Sequence, residues 1–356
     1  MQRMPSRYLL PSRYLLLAGL IAQSALVAAQ EPAAPAPKVS PDYSIVAPLA
    51  NKSLLLDAAR AGARMVVVGE RGHVLTSDDQ GQTWAQARVP TRATLTGVYF
   101  ADETHGWAVG HDEAILRTDD AGANWELTHS APEKEQPLLD VWFKDTNSGL
   151  AIGAYGTMLA STDGGRTWQT ATFDPQPLAA PAPGKPAARP QQAEEEDEFA
   201  DATLASDVHL NAIEPAPGGK LYMAGEAGNL YRSDDDGQTW RTLPSPYEGS
   251  FFGIVPLDER ALLALGLRGN MYRSNDEGAS WSKVETGTEA MLTDGAKIDG
   301  TVAISGLAGT LLVSDDGGAT FTLLQQADRK GNASVLAVDA RRFVVVGEGG
   351  VRTIAR

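Results

Sequence analysis

From residue 54 to the C-terminus the chain is built of short runs in which apolar and polar positions alternate, each run closed by a tight polar turn. Period-two alternation rich in Val, Ile and Leu, without a sustained 3.6-residue repeat, predicts short strands and not helices. In the first unit LLLDAA (54–59) reads as an inner strand, MVVVGE (65–70) as a second, HVLTS (73–77) as a third and TWAQARV (83–89) as an outer fourth. GERG and DDQGQ are the turns between them, since Gly, Asp and Asn-type residues supply the backbone conformations that tight reversals need.

The same unit recurs. VGHDEAILRTDD, IGAYGTMLASTD, AGEAGNLYRSDD, LGLRGNMYRSND and SGLAGTLLVSDD superimpose on the first, and each runs into an octapeptide of the form SxDxGxTW. Six such boxes start at 77, 118, 161, 233, 274 and 314, separated by 41, 43, 72, 41 and 40 residues. A period near 40 with four short strands per repeat predicts propeller blades. The fold expected is therefore all-β, a seven-bladed β-propeller of four-stranded antiparallel blades. Six blades carry a box. VLAVDARRFVVVGEGGVRTIAR after the sixth supplies three strands of a seventh, and YSIVAPLA (43–50) is expected to close the ring by completing that last blade, which removes open edges.

In the boxes, the Ser or Thr hydroxyl and the Asp carboxylate can bond to local backbone while Gly supplies a positive φ. Asp79, Asp120, Asp163, Asp235, Asp276 and Asp316 are read as turn carboxylates. Trp84, Trp125, Trp168, Trp240, Trp281 and Phe321 are read as aromatics packing between blades. The Asp spacing is not that of a calcium loop.

The ends and one interior stretch depart from the repeat. Residues 1–29 carry Arg3, Arg7 and Arg13, an apolar stretch from Tyr14 to Ala22 and a terminal Val27-Ala28-Ala29, the pattern of a secretory leader cleaved near Ala29/Gln30. Its apolar stretch is short of the roughly 20 residues a spanning helix needs. Residues 30–42 are a Pro/Ala-rich lead-in, and 43–356 form one propeller domain interrupted at 174–205 by a Pro/Ala-rich insertion ending in the acidic EEEDEFAD. An exported, periplasmic location without a membrane span is the expectation.

Composition narrows the chemistry. With no cysteine, disulfides, Cys-ligated metals and thiol catalysis drop out. A net charge of −15 argues against a phosphate-backbone partner. The excess of acid has a location: the boxes hold 12 acidic residues and the run 194–201 holds 6, leaving the rest of the ring near balance. The five histidines have no metal spacing and GEGG (347–350) opens no helix, so neither metal nor cofactor is expected.

The octapeptide resembles the Asp box of bacterial neuraminidase repeats, a motif shared by sialidases and unrelated propellers. The stretch LTGVYFADETHGWAVGHDEAILRTDDAGANW (95–125), echoed at 139–168, resembles more specifically the repeat of the photosystem II stability and assembly factor family. That resemblance implies a seven-bladed propeller acting as a non-enzymatic assembly chaperone. The family's client-contacting arginine patch has no residue-by-residue match in this chain.

A partner face follows from blade topology. The turns between second and third strands open opposite the boxes, together with the blade-to-blade connections and the 174–205 insertion. They present Glu70, Arg71, His111, Asp112, Tyr155, Glu226, Arg268 and Glu348 as candidate partner-binding residues. Glycosidic hydrolysis would need two carboxylates flanking a bond. Glu70 and Glu226 fall on blades nearly opposite in a ring of seven, so the shared Glu is read as a turn residue and no catalytic residue is assigned. The functional expectation is a monomeric scaffold binding a protein partner, to help assemble or stabilise a membrane protein complex. A sialidase-like glycoside hydrolase and an accessory subunit of an envelope transporter are the alternatives.

Overall fold

The computed structural model describes residues 42–177 and 208–356. The expected leader at 1–29, all but the last residue of the expected lead-in and the body of the 174–205 insertion lie outside the described residues.

Seven antiparallel sheets follow one another along the chain. Their inner strands are Leu55–Ala61, Leu95–Phe100, Leu138–Phe143, Leu210–Pro215, Phe251–Pro256, Leu292–Ile298 and Asn332–Ala337. Blade 1 continues outward through Arg64–Gly69, Val74–Ser77 and Ala85–Ala87, with bounds within two residues of the strands expected from the pattern. Every inner strand is bulged near its start, as between Leu55 and Asp57, so one extra residue enters the strand before pairing resumes.

The VVV-type second strands make sense once their neighbours are seen. In Met65–Val68 successive side chains point to opposite faces of the sheet. Met65 and Val67 pack against blade 7 with Val344 and Val346, whereas Val66 and Val68 pack against blade 2 with Leu95, Ala108 and Leu116. Both faces are dry, so an uninterrupted apolar run replaces alternation. One such cluster fills each of the seven interfaces between adjacent blades.

Two features differ from the sequence reading. Blade 4 gains a fifth strand, Gln176–Pro177, lying parallel to Arg241–Thr242. Blade 7 has three strands, and residues 42–49 do not supply its fourth. They run beside the outer edge of blade 1 instead. Ser44 N donates to Val89 O at 2.8 Å, Val89 N returns a bond to Ser44 Oγ at 3.0 Å, and Ala47 N donates to Gln86 Oε1 at 2.8 Å. Side chains thus take backbone groups that a ladder would use, and Pro48 has no N–H to give to one. After a 3-10 turn at Ala50–Lys52, Asn51 O accepts from Val351 N at 3.0 Å, which ties blade 7 to the entry of blade 1.

Each box forms a tight turn held by its own side chains. In the first, Ser77 Oγ donates to Asp79 Oδ1 and accepts from Gly81 N, both at 2.8 Å, and Asp79 also accepts from Thr83 N and Thr83 Oγ1. The other five repeat this with Asp120, Asp163, Asp235, Asp276 and Asp316. These bonds favour the charged carboxylate: the Thr83 and Thr167 hydroxyls lead in holding Asp79 and Asp163 down at about 2. The fourth and fifth box residues both have positive φ, 60° at Gln80 and 86° at Gly81.

A set of cations bridges the boxes around the ring, and the repeat pattern did not reveal it. At the fourth box position each box accepts a bond from the preceding blade. Arg64 reaches Ala121 O (3.3 Å), Arg117 reaches Gly164 O (2.8 Å), and Lys144 reaches Asp236 Oδ2 (2.7 Å). Arg232 reaches Glu277 O (3.5 Å), Arg273 reaches Gly317 O (2.6 Å), and Arg342 reaches Gln80 Oε1 (3.1 Å). The last of these joins blade 7 to blade 1.

Candidate partner-binding face

Because each inner strand begins beside the end of its second strand, the second-to-third turns and the blade connections share one mouth, opposite the boxes. The middle residue of the turn is left-handed in six blades: Arg71 (φ 57°), Asp112 (63°), Tyr155 (54°), Ala227 (52°), Arg268 (55°) and Ala308 (54°). In most blades a glycine follows and lies hard against the connection to the next blade. A Cβ on Gly72 would sit 2.3 Å from Thr91 O, and one on Gly269 would sit 1.8 Å from Thr288 O. The turn is thereby pinned and its middle side chain stands out from the mouth: Arg71, His111, Asp112, Tyr155 and Arg268 are exposed.

The three turn glutamates share a local task. Glu70 accepts from Leu54 N (3.3 Å), Glu226 from His209 N (3.2 Å) and Glu348 from Gly331 N (2.9 Å). Each carboxylate clips the backbone that leads into the inner strand of its own blade. Their repetition reflects a repeated need of the turn for an acceptor.

Blade 2 breaks the rule at its third turn position. Glu113 stands where the other blades have glycine, with φ 47°, and is fully buried. His129 Nε2 lies 3.0 Å and Lys134 Nζ 2.8 Å from Glu113 Oε2. The connection here swings through a 3-10 turn at Pro132–Lys134, which leaves the space that the glycine leaves elsewhere. The sequence places Glu113 in this turn beside His111 and Asp112, and its departure from the glycine column was the available signal of a buried role. Tyr155 also has a neighbour the sequence did not indicate: its ring meets the His209 imidazole edge to face at 5.1 Å, joining the blade 3 turn to blade 4.

Below the mouth, all seven inner strands line a central cavity of about 290 Å³. Asp57, Asp140, Glu214 and Asp294 are among its lining residues, none of them singled out from sequence. Three of these carboxylates stitch adjacent blades, with Asp57 accepting from Val98 N, Asp140 from Ile213 N (both 2.8 Å) and Asp294 from Val335 N (3.1 Å). Burial pushes the Asp140 carboxyl up to about 7, and burial together with the neighbouring acids raises Asp57 and Glu214 well above the carboxylate range. Their signal was faint because the bulge shifts the register: an Asp two residues into the inner strand reads as an ordinary outward polar position.

Seven radial antiparallel sheets around a central cavity, with the connections gathered at one mouth, define a seven-bladed β-propeller. Residues 77–176 match the family described as photosynthesis system II assembly factor YCF48. The photosystem II assembly protein Ycf48 of Thermosynechococcus vestitus is 40% identical over 43 residues, 12% of each chain. The uncharacterized protein YkuO of Bacillus subtilis is 31% identical over 77 residues, 21% of this chain and 25% of its own. The matched stretches therefore span a quarter or less of these curated relatives. A solved structure of YCF48 bound to D1 peptide superposes with a TM-score of 0.63 at 18% identity, covering 85% of this chain and 93% of that one. The chain thus folds as a seven-bladed propeller and is similar to the photosystem II assembly factor family in sequence over residues 77–176.

Proposed function

We propose that this protein is a non-enzymatic, exported scaffold whose mouth binds a protein partner and assists the assembly or stability of a membrane protein complex. The observation that carries the reading is the mouth itself. Arg71 and Arg268 project from turns pinned by a glycine packed on the blade connection, and the turns of Asp112 and Tyr155 are tied to theirs by the Ala131 N to Asp112 O and Gly156 N to Val208 O bonds, on a ring clasped at every box. A rigid ring with protruding charged and aromatic side chains is pre-organised for a macromolecular surface, and ordering such a site costs little on binding. The likeness to a propeller solved with a bound peptide supports the same reading. The leader at 1–29 supports export.

The turn glutamates weigh against glycoside hydrolysis, because Glu226 and its counterparts hold backbone amides of their own blades. Affinity capture from detergent-solubilised envelopes tests the scaffold reading. The expected result is recovery of a membrane-complex subunit by the native chain and at least tenfold less by Tyr155→Ala/Arg268→Glu. Recovery unaffected by that variant would overturn it, as would glycan turnover abolished by Glu226→Gln.

A further inference from the structure

All seven large apolar side chains exposed among the described residues, Tyr43, Ile45, Val46, Leu49, Leu54, Tyr155 and Leu307, lie at the mouth, in its turns or in the segment leading into blade 1. The opposite face is crowned by the acidic boxes. Five of the seven fall within residues 43–54, where Ile45 is 63%, Val46 61% and Leu49 69% exposed. Isolated surface aliphatics are ordinary, but three in five residues form a patch that a chain of this composition has no folding reason to leave in water.

Ile45 and Leu49 border a hollow of about 450 Å³ that also takes in Arg71 and Arg92. Exposed Arg88 and Lys52 extend the cationic fringe, and the Arg88 guanidinium rests 4.5 Å from the centre of the Tyr43 ring. Asp42 and Glu70 are the acids of this sector, paired with Arg92 at 3.0 Å and with Arg71 at 3.9 Å. In a protein with a net charge of −15, the blade 1 sector of the mouth is thus locally positive and apolar. Aliphatic tips surrounded by long cationic side chains match an anionic lipid surface: the tips enter the acyl boundary, the guanidinium and ammonium groups stay with the phosphates, and the acidic boxes turn away toward solvent.

We propose that the blade 1 sector of the mouth is a peripheral docking site for an anionic lipid bilayer. The proposal is independent of the partner-binding reading, since capture of a client and attachment to lipid are measured separately.

The test is co-sedimentation of the purified chain with vesicles of phosphatidylcholine alone or mixed with phosphatidylglycerol. Binding is expected to the phosphatidylglycerol vesicles, weakened as salt is raised from about 0.1 M to several times that value, where screening shortens to a few ångströms. Ile45→Ser/Val46→Ser/Leu49→Ser and, separately, Lys52→Glu/Arg71→Glu should each lower the bound fraction about tenfold, with the thermal midpoint unchanged because these side chains are exposed. Equal sedimentation with both vesicle types, or none, would overturn the proposal. So would an apolar triple variant that still binds vesicles but loses a captured protein, which would assign the patch to a protein partner.

Discussion

Arg117 of blade 2 donates through Nε to Gly164 O in the box of blade 3 at 2.8 Å, with its guanidinium also paired to Asp119. The same carbonyl accepts Trp107 Nε1 at 3.0 Å. Two donors from one blade thus converge on a single left-handed residue of the next, and Arg117 is buried while making this contact. Arg117→Met is expected to destabilise the ring by about 2–3 kcal/mol, the range for a charged hydrogen bond removed from a dry site. Arg64→Met, at a clasp whose pair with Asp78 is largely exposed, should cost under about 1 kcal/mol. Denaturant midpoints of the two variants check the difference.

Gly165 has a φ of 77°, and a Cβ there would lie 2.4 Å from Trp107 Nε1. Gly165→Ala therefore combines a left-handed penalty with a clash against a buried indole that is stacked on Phe143. A loss of about 3 kcal/mol or more is expected. Gly219→Ala, at φ 82° with nothing within 4 Å, should lose only about 1–2 kcal/mol. Similar losses at the two sites would mean that contact with the neighbouring blade is unimportant.

The route of residues 42–49 along blade 1 is open to a single-atom test. Ser44 is buried and its hydroxyl is the acceptor for Val89 N. Ser44→Ala leaves that amide without a partner and should cost about 1–3 kcal/mol, while Ile45→Ser should leave stability unchanged. Thermal melts that rank the two the other way round would place this segment elsewhere.

Acid and base act on different groups. The boxes hold Asp79 and Asp163 at about 2, so their contribution is in place above the ordinary carboxylate pKa and is lost as pH falls toward 2. In the cavity the sign reverses. Asp140 binds its proton more tightly in the folded chain, with a pKa of about 7, so its contribution is in place below about pH 4 and is lost as pH rises through 7. Melting curves from pH 5 to 8 should show Asp140→Asn gaining on the native chain as pH rises. A constant difference would mean that Asp140 does not titrate there.

The architecture was legible in the sequence to the extent that it repeats. Six boxes at a period near 40, broken once by the insertion, announced blades, and strands such as Arg64–Gly69 fell where apolar runs between turn residues placed them. The mouth was legible as topology, because a fixed strand order puts Arg71, Tyr155 and Arg268 on one face. The cavity acids were not, since the bulge that carries Asp57, Asp140 and Asp294 to the axis alters register without leaving a mark in residue type. The clasping cations were also hidden: Arg117, Arg232 and Arg273 precede their own boxes by one residue but bind the next, and in blades 1 and 3 Arg64 on the second strand and Lys144 just past the inner strand do the same.

Local chemistry by itself therefore determined what each repeat becomes, the strands and the Asp-centred turns, which depend on residues a few positions apart, and counting the repeats determined the number of blades. Tertiary structure decided what joins one repeat to the next. Residues 43–50 read as a strand, yet the partners available on blade 1, the Val89 carbonyl and the Gln86 side chain, took their backbone groups before a ladder on blade 7 could. Contacts between residues about 40 or more apart depend on where ring closure brings neighbouring blades, and a period in the sequence carries no information about that geometry.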